Sequence, residues 1–190
     1  MNLTSDFIHS PVSGCHVEFG RGKKKRTVID ACRYTHKQDC DNEVYEVATI
    51  LGDGTEIEVY RTNNWIDMQD AYARMVRAYC PDEWKGLVSD LKKAKAIAEA
   101  VTGDDGGTCN MDSPAMEPPK GLTYDQFAGI CKAAGINSYS WKPWAKAPKQ
   151  AVLCGAVGIG QGYRRTKGAE AACAYLRERG YECGMYYQMD

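Results

Sequence analysis

The chain has no long apolar run. Its most hydrophobic stretch, from about Ala151 to Ile159, is interrupted by glycine and is far shorter than the roughly 20 residues that cross a bilayer, so no membrane-spanning helix is expected. The opening MNLTSDFIHS lacks the basic and apolar regions of a secretory leader, which leads to the expectation of a cytosolic protein. Histidine is scarce: all three lie within the first 36 residues, and no G-x-S-x-G or comparable signature accompanies His9, His16 or His36. No carboxylate pair stands out from ordinary surface charge. Catalytic residues are therefore not assigned, although a cysteine nucleophile whose partners meet only in space stays open.

Paired spacing is also missing from the nine cysteines, an odd number scattered from Cys15 to Cys183. In a chain without an export signal most should be reduced thiols that behave as small buried hydrophobes. Cys32, His36 and Cys40, with Cys15 and His16 upstream, have the right atoms for zinc. Structural zinc sites draw their ligands in tighter pairs than CRYTHKQDC offers, so neither a metal nor another cofactor is expected.

Acid is absent from Gln126 through Ala169. The net charge of −1 hides this asymmetry. Residues 1–62 carry eight Lys/Arg against ten Asp/Glu, residues 63–119 six against ten, and residues 120–190 ten against five. The chain is acidic in front and basic behind.

With 190 residues, 44% of them hydrophobic, the chain is long enough for a sizeable core in one domain or two small ones. The strongest local signal is VYEVATILGDGTEIEVYRT, residues 44–62. Asp53-Gly54 predicts a type I′ turn, and pairing Gly52 with Thr55 sets Ile50 opposite Ile57, Ala48 opposite Val59 and Glu46 opposite Arg61. That face is apolar and should be the covered one; the face of Tyr45, Val47, Thr49 and Leu51 is half polar and free for solvent or a partner. CHVEF and RTVIDACRY add two strands, joined by GRGKKK, giving an antiparallel sheet of about four. Arg21, Lys23, Lys24, Lys25 and Arg26 would then form a basic loop tip, either a phosphate contact or a solvated end.

After the hairpin the apolar period changes from 2 to 3.6. Asn64 caps a helix with Trp65, Met68, Tyr72, Met75, Val76 and Tyr79 on one face, and Pro81 opens a second with Trp84, Leu87, Leu91, Ala94, Ala98 and Val101. The expected fold is α+β: an N-terminal antiparallel sheet with this two-helix hairpin packed on it, over residues 1–102. Residues 103–120, GDDGGTCNMDSPAMEPPK, read as a polar linker, since their acidic and glycine positions do not follow the ligand order of a calcium loop. Residues 121–190 form a small basic α/β unit.

Within that unit Thr123 and Gln126 make a capping box, and the helix stops at Gly135. ICKAAGINSYSW resembles the turn of helix-turn-helix DNA readers, but Cys131 replaces the usual small residue and Pro143 cuts the second helix short. Lys142, Lys146, Lys149, Arg164, Arg165 and Lys167 are interleaved with Trp141, Trp144 and Tyr163, and with Tyr139. Cations beside flat rings compose a nucleic-acid surface, or else tryptophans that pin a proline-rich loop with its lysines in solvent. Gly158, Gly160 and Gly162 precede a helix capped by Thr166, either a phosphate cradle or a tight connection; no dinucleotide or P-loop fingerprint is complete. A last strand, YECGMYYQ, closes the chain.

In size, in its lack of an enzymatic motif, in its two small α/β units and in its segregated charge, the chain resembles the small accessory proteins of phages and conjugative elements, anti-CRISPR proteins among them. The resemblance implies a non-enzymatic inhibitor of a CRISPR-Cas effector, binding the effector or its nucleic acid. A stand-alone DNA/RNA-binding module and a cytosolic enzyme with a cysteine nucleophile are the alternatives.

Overall fold

The computed structural model describes residues 6–20, 26–103, 106–107, 110–154 and 162–188. The chain divides into two compact units between Asp82 and Glu83.

In the first unit β1 (Phe7–Phe19), β2 (Thr27–His36), β3 (Glu43–Leu51) and β4 (Glu56–Thr62) pair in the order β1-β2-β3-β4, every pair antiparallel. The register places Glu46 opposite Arg61 and Ala48 opposite Val59, as the hairpin pattern predicts. The turn is different. Asp53 keeps a negative φ and its carboxylate accepts the Thr55 N–H at 2.9 Å, while Gly54 alone is left-handed at φ 90°. Its N–H donates back to Leu51 O at 2.9 Å, so the loop is a tight turn closed by a left-handed glycine, not type I′. Ile50 then faces Glu56, and Ile57 becomes the extra residue of a bulge.

The covered face is also reversed. Val47 and Thr49 are fully buried, whereas Ile57 and Val59 remain 43% and 40% exposed. The neighbouring strands decide this. On this side Val47 faces Ala31 and Thr49 faces Ile29, which in turn faces Val17, while on the other side Ala48 faces Asp30, which faces His16. Helix α1 (Trp65–Tyr79) therefore packs on the Val47 side with Met68, Tyr72, Met75 and Val76 buried. Asn64 caps it, accepting from the N–H of Ile66 at 2.8 Å and of Asp67 at 3.3 Å.

The second helix, α2 (Asp82–Glu99), expected to complete a hairpin on that sheet, belongs to the second unit. Its Asp90, 7% exposed, is the physical reason: Oδ1 accepts from Tyr175 and from Arg179, and Oδ2 from Tyr181 at 2.8 Å. A buried carboxylate with three donors ties α2 where those donors are. Lys95 adds a bond to Gly135 O at 3.0 Å.

The remaining elements are β5 (Ser113–Met116), α3 (Tyr124–Ala133), β6 (Ser138–Trp141), β7 (Gln150–Leu153), α4 (Gly162–Glu178) and β8 (Cys183–Tyr186). Their sheet order is β6-β7-β5-β8, all antiparallel, which is the β-α-β-β-α-β connectivity of a split β-α-β fold. Residues 113–116, expected to be linker, are thus a fully buried central strand. Pro114 is tolerated because it pairs only with Met185 of β8, and the pairing with β7 begins at Ala115. The segment after Gly135 is a strand where a DNA reader would need a helix.

Both helices lie on one side of this sheet. Cys173 of α4 meets Cys183 of β8, and Cys131 of α3 meets Ser138 of β6. The capping box of α3 is present, Thr123 and Gln126 bonding each other's backbone N–H at 2.9 and 3.2 Å. Thr166 does not cap α4 but sits one turn inside it, where its hydroxyl donates to Asp112 at 2.7 Å.

Candidate nucleic-acid interface

A strand alternates its side chains, so the face opposite α3 and α4 carries Tyr139 and Trp141 of β6, Gln150 and Val152 of β7, Ser113 and Ala115 of β5, and Tyr186 of β8. Apart from Gln150 the middle strands contribute small residues, and the two edge strands contribute the rings. Because β6 and β8 are opposite edges, the rings lean inward over the middle of the sheet and meet. Tyr186 stands edge-on to Trp141 at 5.0 Å and to Tyr139 at 6.0 Å. Beneath them Ala115 and Val152 are fully buried. Tyr139 itself is 40% exposed. Burial, and then the hydrogen bond from Tyr186, push the Tyr139 phenol above its ordinary value, so the Tyr139 hydroxyl stays neutral.

Beside this platform runs the loop 142–149. Ala147 is buried and its N–H donates to Trp144 O at 3.0 Å, which anchors the loop and turns Trp144 outward, 66% exposed. Lys142 and Lys146 flank that ring, both exposed. Lys149 lies 3.9 Å over the Tyr124 ring. Tyr139, Trp141, Trp144, Lys142 and Lys146 thus occupy one sheet face and its adjoining loop, with Lys149 at the end of that loop against Tyr124 of α3, whereas Tyr163 stands on α4.

The other cations have different work. Arg164 donates to Val101 O at 3.0 Å and Arg165 to Asp112 O at 3.1 Å, so both guanidiniums brace backbone. Arg165 is also close enough to Tyr139 to oppose the rise of its pKa, which places its charge beside the platform. Lys167 pairs with Glu170 at 2.8 Å and stands 5.2 Å from the ring of Tyr163, itself 62% exposed. Of the 21–26 loop, Arg21, Lys23, Lys24 and Lys25 lie outside the described residues, as do Gly158 and Gly160; Arg26 pairs with Glu18.

Sequence reasoning missed Tyr186, Gln150 and Glu117. Gln150 stands opposite Trp141, and its amide donates to Glu117 at 3.5 Å. Only the alternation within YECGMYYQ hinted at Tyr186, and nothing local shows which ring it meets.

In the first unit, Asp30 lies between His16 at 3.4 Å and Cys32 at 3.7 Å. This is not an activated thiol: burial, and then Asp30, push Cys32 up to about 11, the reverse of what a nucleophile needs. Among the described residues no three His, Cys, Asp or Glu side chains gather as a metal site, and no helix is long and apolar enough to cross a membrane.

No protein-family model, curated protein or solved structure matches the chain, so the geometry alone carries the functional reading.

Proposed function

We propose that this is a non-enzymatic, cytoplasmic protein that binds single-stranded nucleic acid, free or held in a nucleoprotein, through the open sheet face of its C-terminal unit. The observation that carries the reading is the ring platform of Tyr139, Trp141 and Tyr186 beside Trp144, Lys142 and Lys146. Rings give bases a surface that every base can use, and the lysines meet phosphates from a loop without a carboxylate. An unstacked single strand suits the platform, because bases in a duplex hide their faces.

Fluorescence anisotropy with labelled single-stranded DNA, single-stranded RNA and duplex across a salt series tests this. The expected order is single strand well above duplex, with affinity falling as salt rises. Equal binding of duplex, or salt-independent binding, argues against the platform. Binding to a Cas nucleoprotein and to neither nucleic acid alone moves the reading to an inhibitor of the anti-CRISPR kind.

A further inference from the structure

A cavity of about 480 Å³ opens in the C-terminal unit, its lining joining Pro118, Pro119 and Tyr181 to Glu117, Glu182 and Lys120. The volume falls within the roughly 300–1,000 Å³ of small-molecule sites. Its walls are held in place. Glu117 N–H donates to Glu182 O at 3.0 Å, Leu122 N–H closes the turn onto Pro119 O at 3.0 Å, and the Tyr181 hydroxyl is fixed on Asp90 at 2.8 Å. Gly121, at φ 99°, lies against the Trp84 ring so closely that a β-carbon would stand 3.2 Å from it.

Glu117 also joins the cavity to the ring platform. Trp141 faces Gln150 across β6 and β7, and Gln150 reaches Glu117 through a bond of 3.5 Å, long enough to be given up for a better partner. A strand laid on the rings would carry its neighbouring nucleotide to this cavity.

We infer that the cavity receives one base of the bound strand and selects guanine, an inference that rests on the single-strand reading of the platform. Prolines and a tyrosine ring offer flat apolar surface to a base, and Lys120 offers a cation to its phosphate. The carboxylate of Glu117 supplies the selection. A carboxylate presents two acceptors side by side, and guanine alone among the common bases presents two adjacent donors, N1–H and N2–H, on its Watson–Crick edge. Adenine and cytosine each set an acceptor beside their amino group. Uracil sets a carbonyl on either side of its one N–H. Each of these would face the carboxylate with a lone pair, so the negative charge that burdens general phosphate binding excludes the wrong base.

Short uridine tracts carrying one central guanosine, inosine or adenosine test this by anisotropy. Wild type should bind the guanosine tract roughly 5- to 150-fold more tightly than the adenosine tract, the range for a bidentate base contact, with inosine between them because it lacks the N2 amino group. Glu117→Gln should erase that preference, and an unfolding midpoint equal to that of wild type shows that the variant is folded. Equal affinity for the three tracts in wild type, or a preference that survives Glu117→Gln, overturns guanine selection and leaves the platform standing. If wild type binds none of the tracts, the platform fails and the selection with it.

Discussion

Gly168 of α4 lies against the carbonyl of Ala98 at the end of α2, so closely that a β-carbon built on it would stand 3.1 Å from that oxygen. The neighbour is backbone, which cannot rotate away as a side chain would. Glycine inside a helix normally costs about 1 kcal/mol against alanine, so Gly168→Ala would ordinarily stabilise. Here overpacking of about 1–3 kcal/mol opposes that gain, and a net loss is expected. Urea denaturation of the C-terminal unit should show a lower midpoint. A higher midpoint would mean that the two helices part easily at this point.

Thr49 gives the opposite expectation. Its side chain is fully buried beneath α1, and its hydroxyl has no hydrogen-bond partner among the described residues. A buried hydroxyl left unpaired costs roughly 1–3 kcal/mol, and valine has nearly the same shape with a better strand preference. Thr49→Val should raise the unfolding midpoint of the first unit without changing its denaturant slope. If stability falls instead, the hydroxyl has a partner that the geometry does not reveal.

These two positions also mark how far the sequence could be read. Two caps were legible because their chemistry is local: Asn64 and the Thr123–Gln126 box each act within three residues, whereas Thr166, read as a third, lies inside α4 and bonds the distant Asp112. The strands of the first sheet were legible for the same reason, as was the pairing of Glu46 with Arg61. Which face would be covered was not legible, because Val47 wins over Ala48 only through the residues that β1 and β2 set beside each row. Strand β5 escaped notice because it is four residues long, contains a proline and has no polar alternation to betray it. In the candidate site the loop lysines and Trp141 were visible as composition. Their partner Tyr186 was not, since the two rings come from opposite edges of a sheet whose order no local pattern reveals.

Cys32 supplies a test that depends on pH. Burial first, and Asp30 second, raise its thiol to about 11 from an ordinary value of 9.0. Where the folded value is raised, the folded state favours the protonated thiol. That contribution is whole below pH 9 and is lost as pH climbs toward 11. At pH 8, iodoacetamide should modify the exposed Cys40 well before Cys32, and Asp30→Asn should speed the reaction at Cys32 by removing the adjacent carboxylate. Stability of the first unit should decline between pH 9 and 11, less steeply after Cys32→Ser. Cys32 reacting as fast as Cys40 in the wild-type protein would sink this account of the site.

The cations of the C-terminal unit separate by what already holds them. Lys142 and Lys146 are exposed beside Trp144, whereas Arg164 and Arg165 donate to the carbonyls of Val101 and Asp112. Replacing a lysine that meets a phosphate should flatten the slope of log affinity against log salt by about 0.7 per contact on a single strand. Lys142→Ala with Lys146→Ala should therefore change the slope and leave the unfolding midpoint where it was. Arg164→Ala and Arg165→Ala should do the reverse, since each removes a charged donor from a half-buried carbonyl, a loss of about 1.5 kcal/mol or more. Trp144→Ala completes the set: a ring that stacks on a base contributes roughly 1–3 kcal/mol without a counterion, so affinity should fall at every salt concentration in parallel. The arginine pair changing the slope while the lysine pair does not would transfer the phosphate contacts to the start of α4, and the loop 142–149 would lose its place in the interface.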